Sequence, residues 1–124
     1  MNNVLFVALG GSIGAVLRYL ISLLMLQVFG SGFPFGTLVV NILGSFLMGV
    51  IFALGQVSEL SPEFKAFIGV GMLGALTTFS TFSNETLLLM QQGYLVKAVF
   101  NVVVNVGVCI FVVYLGQQLV FSRF

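Results

Sequence analysis

The chain has 124 residues, 60% of them hydrophobic and 6% charged, with a net charge of +1 and a mean hydropathy of +1.22. Globular proteins carry about 25% charged residues, and apolar runs of about 20 residues belong to transmembrane helices, so a soluble domain is excluded. The basic residues form no cluster, which excludes nucleic acid as a partner, and the single Cys109 allows neither an intrachain disulfide nor a cysteine-built metal cluster.

The first apolar run extends from Val4 to about Val28 and is closed by the turn residues Gly30, Ser31, Gly32 and Pro34. Met1 to Asn3 carry no basic side chain and the run passes Leu26, so this segment reads as a retained helix rather than a cleaved signal peptide. A second run, from Phe35 to Leu54, matches the roughly 30 Å of a bilayer's hydrocarbon at about 1.5 Å per residue. The polar loop that follows holds Glu59, Glu63 and Lys65, and its Ser61-Pro62 pair marks a helix start. A third run, from Phe64 to about Met90, is longer than a bilayer needs. After Gln91-Gln92-Gly93 a last run covers Leu95 to about Leu115, with Gln117, Gln118 and Arg123 at its exit. The expectation is an all-α membrane protein, one four-helix domain over residues 1–124 with no linker. Four helices are too few to enclose a pore, so the chain is expected to work as an oligomer.

Positively charged loops tend to stay cytoplasmic. With four spans, Lys65 and Arg123 fall on one side and Lys97, joined by Arg18, on the other, so the bias is faint. Such a chain is expected to insert both ways round, and two copies can then pair antiparallel. Lipid gives helices no hydrophobic reason to meet, and small residues mark the contacts instead. Gly10 and Gly14 form a GxxxG pair, and Asn41, Ser45 and Gly49 recur every four residues on one face of the second span; tight packing explains the glycines without any function.

Each polar group left unpaired in hydrocarbon costs several kcal/mol. Asn101, Asn105 and Cys109 recur at intervals of four along one stripe of the fourth span. Hydrogen bonds between helices are one explanation of Asn41, Asn101 and Asn105; a wet or ion-conducting path is the other, since amides and hydroxyls both donate and accept. Arg18 lies within the first apolar run and stays charged. It either snorkels to the interface, caps helix carbonyls, or sets the charge of a water-filled vestibule. Glu85 marks the mouth of the same route or a solvated helix end.

The third span is the most informative. Gly69, Gly71 and Gly74 weaken its helix, and Thr77 and Thr78 offer the backbone competing hydroxyl bonds, so it is expected to break near its middle. Non-helical backbone at membrane depth must be buried in protein or line a cavity, where its carbonyls can hold a cation. Phe79 and Phe82, three apart, are expected to share a helix face with Ser80 and Thr81 beside them. A phenylalanine pair is commonly plain packing, yet ring edges are electropositive and stabilise a passing anion weakly. The residues by themselves lead as far as a small ion, an anion being favoured.

Three stretches, 10–19 (GGSIGAVLRY), 36–46 (GTLVVNILGSF) and 71–82 (GMLGALTTFSTF), in this order, resemble the Fluc (CrcB) family of fluoride channels over nearly the whole chain. The resemblance implies an antiparallel, dual-topology homodimer in the bacterial inner membrane, with two pores that export fluoride passively from the cytoplasm. It implies that Asn41 lines the pore, that Phe79 and Phe82 turn ring edges to the fluoride path, and that Ser80 and Thr81 add hydroxyls. It places Arg18 in the vestibule, Glu85 near the pore, and a structural sodium ion on the backbone carbonyls of Gly74 and Thr77 from both copies; no organic cofactor is implied. The resemblance also implies a fourth-span polar track, often of Tyr and Ser in the family, where this chain has Asn101, Asn105 and Cys109 instead. The competing reading is a small dual-topology multidrug exporter coupled to protons, which needs a carboxylate in the first helix. None is there; the acids are Glu59, Glu63 and Glu85. A nonconducting accessory subunit is a third reading. Without His, Asp or a nucleophile paired to a base, the chain is not expected to be an enzyme.

Overall fold

The computed structural model describes residues 2–124, and among these all regular structure is helical. Four helices are long and apolar enough to cross a membrane. Helix α1 covers Asn2–Phe29 and α2 covers Phe35–Val57. The third span, Pro62–Gln91, is built from α3 (Pro62–Phe64), a π-helix (Lys65–Leu73), α4 (Gly74–Leu76) and α5 (Ser80–Gln91). Helix α6 covers Leu95–Phe121. Side chains such as Val4, Val96 and Ile110 stand exposed around the bundle, the arrangement that a lipid solvent favours.

The turns follow local chemistry. Gly30 and Gly93 have φ of 77° and 88°, conformations in which a side chain is strained. Around Gly93 the Tyr94 N–H reaches Leu89 O at 2.8 Å and the Gly93 N–H reaches Met90 O at 3.1 Å, a Schellman closure of α5. Ser61 starts the third span as expected, its Oγ accepting the Phe64 N–H at 3.1 Å with Pro62 in the first helical position.

Backbone contact through glycine holds the bundle together. Helix α1 lies on the π-helix: a Cβ on Gly10 would run into Phe67 O, and one on Gly14 into Met72 O. Helices α2 and α6 meet likewise, Gly49 against Val113 O and Gly116 against Phe46 O. The interior apolar cluster is small, centred on Val40, Leu73 and Leu76. That suits a protein whose helices associate by close approach rather than by burying oil from water. The nine-residue π-helix was not foreseen from the sequence. Glycines lower the cost of leaving α geometry but do not name the alternative; contact with the glycine face of α1 is what the sequence pattern alone does not convey.

Candidate functional site

The site is built where the third span leaves its helical hydrogen-bond pattern. Thr77 is extended, with φ −84° and ψ 157°, and helical pairing resumes at Ser80. The donors that a continuous helix would aim at the preceding turn go elsewhere. The Thr78 N–H, which would meet Gly74 O, donates instead to Asn41 Oδ1 at 2.8 Å. The Thr81 N–H, which would meet Thr77 O, donates to Thr78 Oγ1 at 3.1 Å, so Thr78 acts as the side-chain cap of α5. Asn41 also donates through Nδ2 to Thr78 O at 3.1 Å. One side-chain amide thus pairs with both backbone groups of Thr78, much as a neighbouring strand would. Gly44, one turn further along α2, makes room for this contact, because a Cβ there would meet the Thr77 methyl.

Arg18 belongs to the same junction. Its Nε donates to Ala75 O at 3.0 Å, the carbonyl that the Phe79 N–H would meet in a continuous helix. Of the alternatives open to Arg18, the structure shows the carbonyl cap rather than a side chain reaching for the interface. The carbonyls of Gly74 and Thr77 have lost their helical donors in the same way. Bare peptide oxygens in an unwound segment are ligands suited to sodium, so the two positions are chemically fit to hold it.

A cavity of about 290 Å³ opens beside the junction, and Asn41, Thr78, Phe79, Phe82, Asn105 and Cys109 line it. The two rings lie 5.4 Å apart between centroids, tilted by 56°. They lie side by side at this one cavity but differ in exposure. Phe82 is 7% exposed and sits on α5, whereas Phe79 is 77% exposed. Phe79 caps α5 in helical conformation, its carbonyl accepting the Ser83 N–H at 2.9 Å, and so stands at the open end of the helix while Phe82 is covered. Ser80 and Thr81 part company as well: Ser80 is exposed, its Oγ 3.3 Å from Thr78 Oγ1, while Thr81 faces a second cavity.

That second cavity, about 430 Å³, lies under the turn between α1 and α2 and is lined by Ser22, Thr37, Thr81 and Glu85 among others. Glu85 Oε1 is closed off from solvent and has no hydrogen-bond partner among the described residues. Thr37, 5% exposed, was not singled out in the sequence. Its position four residues before Asn41 extends the face of Asn41, Ser45 and Gly49 and was the available signal.

The fourth-span asparagines are buried, Asn101 at 1% and Asn105 at 5% exposure, and Asn101 lines neither cavity. Asn105 Nδ2 donates to Asn101 O and Oδ1, each at 2.9 Å, and Asn105 Oδ1 accepts from Asn41 Nδ2 at 3.1 Å. Asn101 Nδ2 donates to Thr86 Oγ1 at 2.9 Å, and the Thr86 hydroxyl donates to Phe82 O at 2.8 Å. The stripe of hydrogen-bonding capacity is therefore a tie between α6, α5 and α2. Thr86 was missed, although it stands four residues after Phe82 on the same helix.

Residues 5–117 match a family profile described as CrcB-like protein, camphor resistance (CrcB). The chain belongs to the CrcB-like family. Within that family it is 96% identical to a protein of Shewanella halifaxensis (strain HAW-EB4) and 91% identical to one of Shewanella piezotolerans (strain WP3 / JCM 13877), in both cases over all 124 residues and the full length of each chain. It is 78% identical to a protein of Shewanella oneidensis over 99% of both chains. Each of these relatives is named a fluoride-specific ion channel FluC, and none of the three bears an enzyme's name. With its four apolar helices, this CrcB-like chain is a multi-pass membrane protein.

Proposed function

We propose that the protein is a fluoride-selective channel that lets fluoride leave the cytoplasm passively, working in the bacterial inner membrane as an antiparallel, dual-topology homodimer with two pores and a central structural sodium ion. The reading rests on the junction at Asn41. An amide that holds a non-helical stretch open at membrane depth, in one cavity with Phe79, Phe82 and Asn105, supplies donors and ring edges without a fixed charge. Relatives at 91% to 96% identity that are named fluoride-specific channels support the choice of anion.

The chemistry follows from the residues. A small, strongly hydrated anion gives up water only where donors replace it. Thr37, Thr81 and the amide of Asn41 offer O–H and N–H groups along the two cavities. The edges of Phe79 and Phe82 carry the anion between them, weakly enough that it moves on. Arg18, held on Ala75 O, adds a positive charge beside the junction, outside the residues that line its cavity.

Two features of the single chain support a second copy. Phe79 stands 77% exposed, and Gly74, at the same junction, is exposed too. A partner laid across this face would cover both. The carbonyl oxygens of Gly74 and Thr77 from the two copies would hold the sodium, which when bound supplies a positive charge fixed between them.

Efflux from liposomes tests the function. Vesicles loaded with fluoride or chloride and carrying the reconstituted protein are expected to release fluoride and retain chloride. Equal release of the two halides overturns selectivity, and release of neither overturns the channel.

A further inference from the structure

Thr86 does not line the cavity that holds Asn41, yet an unbroken chain of side-chain hydrogen bonds connects it to the Asn41 amide, whose orientation the Thr78 backbone fixes. A carbonyl can only accept, so the single Thr86 proton, committed to Phe82 O, leaves Thr86 Oγ1 as an acceptor toward Asn101. Asn101 must therefore present its nitrogen to Thr86 and its oxygen to Asn105. Asn105 donates to that Asn101 oxygen and also to the Asn101 backbone carbonyl, and both bonds turn its own oxygen to Asn41. Asn41 in turn must donate, and its oxygen faces the Thr78 N–H. Donor to acceptor, the chain of bonds runs one way, from the Thr78 N–H to Phe82 O, and both ends lie on the segment that carries Phe79 and Phe82.

One consequence concerns the anion. An amide nitrogen has two hydrogens, and Asn41 gives one to Thr78 O and the other to Asn105 Oδ1. Neither is left for a ligand. We propose that Thr86 and Asn101 are positioning residues that hold the Asn105 carbonyl on Asn41 as a resident acceptor, and that fluoride gains the Asn41 N–H by displacing that carbonyl. This rests on the channel reading given above. Asn105 is the acceptor able to yield, because it is a side chain lining the cavity, whereas Thr78 O belongs to the backbone that Asn41 braces. Binding at Asn41 is then the difference between two acceptors rather than the full strength of a hydrogen bond, which suits an ion that must leave again.

The test uses the full chain with ¹⁵N-labelled asparagine in micelles, the Asn41 and Asn105 side-chain signals being assigned through Asn41→Ala and Asn105→Ala. Thr86→Val keeps the shape and removes the hydroxyl; it is expected to move the Asn41 NH₂ signals, although the two residues do not touch, and to reduce fluoride efflux about tenfold, the scale of one hydrogen bond. Thr86→Ser is expected to restore both. Added sodium fluoride is expected to shift Asn41 and Asn105 together in the wild-type protein. Should Thr86→Val not fold, Thr86→Cys, with a thiol that accepts weakly, takes its place. Asn41 signals unmoved by loss of the hydroxyl, or efflux unchanged by it, overturn the relay. Wild-type vesicles that retain fluoride overturn the channel reading instead, and the Asn41 signals still decide the relay.

Discussion

Asn41→Asp is the substitution that separates the chemistry of the junction from its shape. The carboxylate has the outline of the amide and still accepts the Thr78 N–H, 2.8 Å away in the wild type. It loses both donors, and an anionic oxygen then faces Thr78 O and Asn105 Oδ1, each 3.1 Å from the original nitrogen. A permeating anion would pass a fixed like charge at about 4 Å, a repulsion of about 4 kcal/mol at an effective dielectric constant near 20. With about 1.4 kcal/mol per factor of ten, fluoride efflux is expected to fall roughly a thousandfold. The assay is efflux from liposomes followed with a fluoride electrode, after gel filtration has shown that the variant elutes as the wild type does. Efflux within about threefold of wild type, in a properly eluting variant, refutes the reasoning, because a charge of that size cannot be hidden so close to the path.

Further outcomes follow from the structure and from the proposed function. Phe79→Ile is expected to cut fluoride efflux at least tenfold while thermal stability in detergent stays within about 1 kcal/mol, since exposed side chains contribute little to the fold of one copy; Phe82→Ala, in the buried position, is expected to cost about 3–5 kcal/mol by the same melt. Gly14→Ala is expected to destabilise by at least 1–3 kcal/mol because its Cβ would meet Met72 O, whereas Gly107→Ala, with open space around it, is expected to be neutral or stabilising by about 0.5–1 kcal/mol. Replacing sodium by a large organic cation throughout purification is expected to lower the dimer fraction in crosslinking. Tags on both termini, probed from each side of the membrane, are expected to be reached from both sides in one preparation; a single orientation contradicts dual topology.

Much of the frame was legible because the bilayer restricts the choices. Apolar runs bounded by Gly30 to Pro34, by Ser61-Pro62 and by Gln91 to Gly93 gave the spans, since lipid leaves helices few alternatives. The recurrence of Asn101 and Asn105 showed that they shared a stripe, and Asn41 stood out as an amide in an apolar helix. What the sequence did not carry was which donor meets which acceptor. That Arg18 ends on Ala75 O, and that Asn41 takes both backbone groups of Thr78, depends on how α1 and α2 sit against the third span. That placement is set by glycines whose partners are distant backbone atoms. Thr86 escaped notice for a related reason: a threonine in a polar stretch has a ready local acceptor four residues back, and only the facing Asn101 shows that its hydroxyl also orients a neighbour.

The central claim is that an uncharged, donor-bearing interruption in the third span passes fluoride and refuses the larger halide. Recording across a planar bilayer holding the purified protein, with sodium fluoride at tenfold different concentrations on the two sides and sodium chloride making up the balance to equal total halide, tests it most directly. The current is expected to reverse close to the potential at which fluoride is in equilibrium; a reversal near zero, showing both halides to be carried equally, contradicts it.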